Sequence, residues 1–241
     1  MVCFTTNGTG TNQITNPTSG SYTIDVDIDS GTDTGQTRVA IVDTVTVTAS
    51  VDTIFNFTVN GVGNGLGVNQ DTTTGTSTPT TIPFGTLAAD TPATIAQDLS
   101  VSTNAANGFV VTVQADGQLI SATGADIDGF ADGAYTSTPT LWVSPSETIG
   151  NEDTYGHWGI TSNDSTVTAG LSDEFDVGGS GRAYVSASTT PVEIFRNDGP
   201  ANGTNDGVGV ARIGYTVEAT ALQEAADDYT ATLTYVATPV F

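Results

Sequence analysis

The sequence has very few basic or sulfur-containing side chains. Its 241 residues include no lysine and four arginines against 27 acidic residues, for a net charge of -23. A chain with this charge repels phosphate backbones and anionic membranes, which excludes a nucleic-acid-binding role. One cysteine, Cys3, rules out an internal disulfide framework and a Cys-rich metal site. No apolar run approaches the ~18 residues that a membrane-spanning helix needs.

The chain also lacks the residue sets that common catalytic sites require. With His157 as the single histidine, a nucleophile-histidine triad and a histidine zinc site both lack members. The acidic pairs 152–153 and 173–174 are adjacent in sequence. Adjacent side chains on a strand point to opposite faces, so neither pair converges on one bond. We therefore expect that the protein is not an enzyme and that His157 is a structural histidine.

Threonine and glycine are abundant in the sequence, whereas charged residues are scarce. The chain has 45 threonines and 28 glycines, and its charged fraction of 13% is about half the ~25% of ordinary domains. The predicted surface therefore consists of neutral hydroxyl and amide groups with scattered aspartates.

Apolar residues alternate with threonine or aspartate along much of the chain, which predicts half-buried strands. The segments with this alternation are 22–28, 44–51, 109–113, 212–218 and 229–235. Asn-Gly and Asp-Gly pairs, which favour tight turns, lie between them. Since strand patterns do not alternate with helix patterns, we predict an all-β fold, an antiparallel β-sandwich.

The sequence divides into an arm and a sandwich. Residues 1–43 are predicted to be an N-terminal arm with one strong strand at 21–28. Residues 44–241 are predicted to form the sandwich, in which 119–208 is a long insertion that carries both tryptophans and His157.

Two parts of the predicted sandwich, 44–113 and 209–241, resemble a broad group of secreted bacterial β-sandwich domains. The group includes spore-coat-U-like and WxL-type surface proteins and their pilin relatives. The segments that carry the resemblance are TVTVTASVDTIFNFTV (44–59), PFGTLAADTPATIAQDLSVSTNAANGFVVTVQADG (83–117) and VGVARIGYTVEATALQEAADDYTATLTYVATP (208–239). The chain lacks the spore-coat group's cysteines. The resemblance implies an Ig-like, jelly-roll-like domain at the cell surface that assembles with other subunits, and it brings no catalytic residue.

Two clusters in the insertion are candidate ligand sites. Closely spaced turn carboxylates supply the hard oxygen ligands that Ca²⁺ prefers, which makes Asp126, Asp128 and Asp132 the candidate calcium ligands. Asp-Gly pairs are also common turn residues without any metal. We expect the large rings of Trp142, Tyr155 and Trp158 to fill the core of the insertion; since flat rings also suit sugar faces, a glycan platform is the alternative.

The arm gives the main functional expectation. A strand in front of a sandwich can add to the open sheet edge of a neighbouring subunit, with Tyr22, Ile24, Val26 and Ile28 as the inserted residues. Repeated head to tail, this donor-strand complementation builds a homopolymer. We therefore expect a structural subunit of an extracellular filament, pilus or surface layer. The alternative is a monomeric carbohydrate-binding or adhesive domain at the cell surface.

Overall fold

A computed structural model of the chain describes residues 17–28, 31–130, 135–167, 173–176, 183–226 and 228–241. The chain forms two compact units, Met1–Val51 and Asp52–Phe241. In the described ranges, no helix has the length and apolar character needed to cross a membrane. A 3₁₀ turn spans Glu152–Thr154, and the strands are β1 Gly20–Ile28, β2 Asp33–Ile41, β3 Phe55–Gly61, β4 Gly67–Val68, β5 Asp71–Thr72, β6 Ala93–Thr103, β7 Phe109–Ala115, β8 Leu119–Ile120, β9 Asp126–Gly129, β10 Thr140–Leu141, β11 Gly156–Ser162, β12 Ala183–Ser186, β13 Val192–Asn197, β14 Ala201–Asn202, β15 Val210–Ala219 and β16 Leu233–Pro239.

The first unit contains a β-hairpin. Strand β1 pairs antiparallel with β2 over its full length, from Gly20 opposite Ile41 to Ile28 opposite Asp33. The predicted strand at 21–28 is therefore confirmed, because its alternation gives it one apolar face. Its partner β2 was not expected from the sequence.

No strand forms across residues 42–54, although alternation predicted one at 44–51. Val45, Val47 and Val51 are between 85% and 89% exposed. The prediction was wrong because alternation shows only that a segment suits a sheet, and this one has no partner strand. The first compact unit continues to Val51, whereas the predicted arm ends at residue 43.

The second unit is an antiparallel β-sandwich, which confirms the predicted fold class. Its larger sheet has nine strands with the main order β10-β12-β11-β15-β6, and β3 pairs with the other edge of β6. The smaller sheet has the order β13-β7-β16. The core between the sheets is apolar, and it includes Leu99 and Val101 of β6, Val111 and Val113 of β7, and Ile213 of β15.

The described parts of the predicted insertion 119–208 form strands of the sandwich. They contribute β11 and β12 to the larger sheet and β13 to the smaller one. The side chains of β11 are buried on both faces of the sheet. Its sequence GHWGITS therefore shows no apolar-polar alternation, which is why the sequence did not reveal it as a central strand.

Candidate functional site: an open side of the sandwich

Two edge strands of the sandwich, β3 and β16, face the same side. Among the residues that the structure describes, β3 pairs only with β6, and β16 pairs only with β7. Their side chains meet across the two sheets, since the rings of Phe57 and Tyr235 pack edge to face with centroids 6.4 Å apart. We call the side between β3 and β16 the groove. A free edge presents unpaired backbone N–H and C=O groups, which can template pairing with another strand.

The inward side chains of the two edge strands are only partly buried. On β3 the residues opposite Leu99 and Val101 are Val59 and Phe57, and each is half-buried where its neighbour on β6 is fully buried. The same contrast holds across β7 and β16. The half-buried inward residues that line the groove are Phe55, Phe57, Val59, Leu233, Tyr235 and Ala237. The inward side chains of β3 and β16 are therefore covered by a paired strand on one side only.

The floor of the groove is uncharged. The hydroxyl of Tyr235 donates a hydrogen bond to Gln97 Oε1 at 2.7 Å and contacts the hydroxyl of Tyr215. Burial raises the pKa of the Tyr235 hydroxyl, so it stays protonated. The edge strands FNFTVNG and LTYVATP carry no ionisable group except this phenol. An apolar segment can therefore bind here without burying a charge.

The turn between β6 and β7 holds the start of β3 and the end of β16 at the same end of the groove. The side chain of Asn104 accepts a hydrogen bond from Ile54 N at 2.8 Å and donates one to Asp52 O at 2.7 Å, next to the start of β3. The end of β16 is held by Val240 N, which donates to Gly108 O at 2.8 Å. Since the second unit begins at Asp52, the chain enters it at this end of the groove.

The four residues that the sequence analysis expects to insert into a neighbouring subunit lie on β1 of the hairpin. Tyr22, Ile24, Val26 and Ile28 share one face of β1, and the last three are between 47% and 59% exposed. Asp25 and Asp27 lie on the other face, where Asp25 Oδ1 accepts a hydrogen bond from Gln36 Nε2 at 2.7 Å.

The candidate calcium ligands divide between described and undescribed parts of the chain. Asp126 and Asp128 lie on β9, so the Asp-Gly pair at 128–129 is part of a strand and not the expected turn. Asp132 lies outside the described residues. Within those residues, no group of three or more metal-binding side chains comes together. Burial and the charge of Asp126 raise the pKa of the buried Asp128 to about 7, and Gln118 Nε2 contacts its carboxylate.

The three rings of the candidate glycan platform do not share one open surface. Trp158 is buried in the core between the sheets. Trp142 lies on the other face of β11, stacked on Phe130 with centroids 5.4 Å apart and hydrogen-bonded through Nε1 to Glu218 Oε2 at 2.8 Å. Adjacent strand residues alternate sides, so Trp158 faces the core while its neighbour His157 faces Trp142.

His157 has the structural environment expected from the sequence. It is fully buried, and its Nδ1 lies 2.7 Å from the carbonyl oxygen of Val143. The Trp142 ring packs edge to face against it at 6.4 Å. With its ring buried and bonded to a backbone carbonyl, His157 helps to hold the segment 140–145 against the larger sheet.

No protein-family model matches this chain, and no curated protein is significantly similar to it. The resemblance to secreted bacterial surface domains therefore stays a prediction. The groove was missed because its signal is a difference in burial between an edge strand and its neighbour. Residues 55–59 also alternate in the sequence and carry no charge, which is the signal that could have revealed β3.

Proposed function

We propose that this protein is a structural subunit of an extracellular filament, pilus or surface layer, in which an N-terminal β-segment of one subunit fills the groove of the next. The groove carries this proposal, because two edge strands and six half-buried side chains lie together on one side of the sandwich. A β-segment added there gains main-chain hydrogen bonds and buries alternate side chains.

Natural proteins usually protect an open sheet edge with charged residues, prolines or bulges. The edge strands β3 and β16 have no carboxylate and no basic group, and the one proline, Pro239, is the last residue of β16. In a chain with a net charge of -23, uncharged edges leave this side available for association. A segment and a groove on different surfaces make a heterologous contact, which grows into a filament if the rotation does not close.

The extracellular location is part of the proposal. It is supported by the sequence resemblance and by a surface rich in threonine and poor in basic residues. Four arginines and no lysine leave few cleavage sites for trypsin-like proteases.

The proposal is tested with the purified full-length chain. We expect light scattering after size-exclusion chromatography to show polymers whose length grows with protein concentration, and negative-stain electron microscopy to show filaments or a regular array. A chain that stays monomeric at every concentration and salt would refute the proposal.

A further inference from the structure

The uncharged segment 44–51 lies between Asp43 and Asp52. Its sequence TVTVTASV places Val45, Val47 and Val51 on one side of an extended chain, with threonines between them. Each of these valines is at least 85% exposed. An apolar row this exposed is typical of an interaction surface.

The length and chemistry of this segment match the groove. Eight residues of β-strand extend about 26 Å, and the seven residues of β3 or β16 extend about 23 Å, at roughly 3.3 Å per residue. The valine side would pack on the phenyl and phenol rings of Phe57 and Tyr235, and the threonine side would stay in water. Neither surface brings a carboxylate into the contact between two acidic subunits.

The hairpin strand β1 fits the groove less well. All nine of its residues already pair with β2, which leaves it one free edge, and a strand between β3 and β16 needs two. The hairpin's apolar face also contains Asp33, directly opposite Ile28. Docking that face would move a carboxylate toward the uncharged floor.

From these observations we infer that residues 44–51 of one copy of the chain bind in the groove of a second copy, between β3 and β16. This inference rests on the proposed function and names the inserted segment, which differs from the segment 21–28 expected from the sequence. The valines face inward, and the contact repeats head to tail.

The test compares three double substitutions in the full-length chain. Val45→Asp with Val47→Asp places two charges on the inward side, and we expect it to abolish polymers. Thr44→Asp with Thr46→Asp adds the same charge to the same segment on its outward side, so polymers remain. Ile24→Asp with Val26→Asp changes the hairpin and also leaves polymers intact. Because all six side chains are exposed, the melting temperature of the monomer reports that each variant is folded.

The outcomes separate the inference from the proposed function. Polymers that survive the valine substitutions, or that disappear with the hairpin substitutions alone, refute the inference and leave the filament proposal standing. Loss of polymers in the threonine control as well as the valine variant also refutes it, because charge alone would then explain the loss. A wild-type chain that never polymerises refutes the proposed function itself.

Disulfide trapping distinguishes a second copy from the same chain. One subunit carries Val47→Cys and another carries Phe57→Cys, both with Cys3→Ser, and we expect a disulfide-linked dimer when the two are mixed and oxidised. If the mixture gives no dimer while a chain with both cysteines closes on itself, the segment fills its own groove and the inference is wrong.

Discussion

Gly108 holds the end of the groove in a conformation that other residues do not tolerate. It lies in the turn between β6 and β7 with a φ of +73°, and its carbonyl accepts the hydrogen bond from Val240. An added Cβ would overlap the carbonyl oxygen of Asn197 and lie 2.6 Å from the carbonyl carbon and 2.7 Å from Gly199 N. These are backbone atoms, so they cannot rotate away. We therefore predict that Gly108→Ala strongly destabilises the second unit.

Two terms give the size of this effect. A left-handed conformation costs a residue with a Cβ about 1–2 kcal/mol, and overpacking costs about 1–3 kcal/mol. Their sum is about 2–5 kcal/mol, a large part of the roughly 5–15 kcal/mol that stabilises a typical protein. For a protein of this size, each kcal/mol lowers the melting temperature by about 2–4 °C. The expected fall is therefore roughly 4–20 °C.

Two other glycines serve as matched controls in the same assay, thermal unfolding followed by circular dichroism. Gly85 has a φ of +69° with no atom within 4 Å of an added Cβ, so Gly85→Ala isolates the backbone strain. Gly117 has open space and no positive φ, so Gly117→Ala should change little. If Gly108→Ala has the same melting temperature as Gly85→Ala, the added Cβ does not overlap with residues 197–199. A Gly108→Ala variant as stable as Gly117→Ala would refute the whole argument.

Three further outcomes are expected. First, stability rises as pH falls from about 7 toward 4. Burial raises the pKa of Asp128 to about 7 and that of Asp164 to about 6. In this pH range the folded state therefore holds protons that the unfolded state releases. Melting temperatures across this range check it, and Asp128→Asn flattens the profile. Second, polymer formation, measured by light scattering, increases with salt, because salt screens repulsion between subunits of charge -23. Third, Arg212→Lys lowers stability to urea by about 1 kcal/mol, since it loses the two-point contact with Asp98 at 2.7 and 2.9 Å.

The sequence predicted those strands that have one buried and one open face. Strand β16 shows this, because Leu233 and Tyr235 pack against the core and Thr234 is exposed. Strand β7 shows it too, with Val111 and Val113 inward and Thr112 between them. In such strands the apolar-polar alternation follows the burial of the side chains, so it predicts both the strand and its inward face.

Pairing could not be read from the same pattern. Residues 44–51 alternate as regularly as β7, yet they form no strand, because a strand also needs a neighbour for its backbone hydrogen bonds. The hairpin partner β2 contains Gly35 and Arg38 and shows weak alternation, although it pairs along its whole length with β1. Partner choice depends on contacts far apart in sequence, and composition within one segment does not record them.

The outer layer of the larger sheet was hidden for a different reason. Gly159 lets Phe130 and Trp142 approach the sheet closely, since an added Cβ would lie 3.1 and 3.2 Å from their rings. The aromatic residues that cover this face come from loops whose sequence shows no period. Trp142 packs against Phe130 and Tyr184 in this layer, and the sequence could not identify these partners.

The outer face of the larger sheet is covered, whereas the groove is not, and this difference supports an interaction at the groove. Segments from 119–208 cover the outer face of the larger sheet, so that β11 and β12 are buried throughout. The groove keeps its apolar rings half-buried, although covering it would take one strand. The uncharged segment 44–51 has that strand's length and pattern. In the proposed polymer, long-range repulsion between subunits of charge -23 would slow their encounter, whereas the proposed contact would carry no charge. Association would therefore depend on concentration and salt, which allows a stable monomer before assembly and a stable polymer after it.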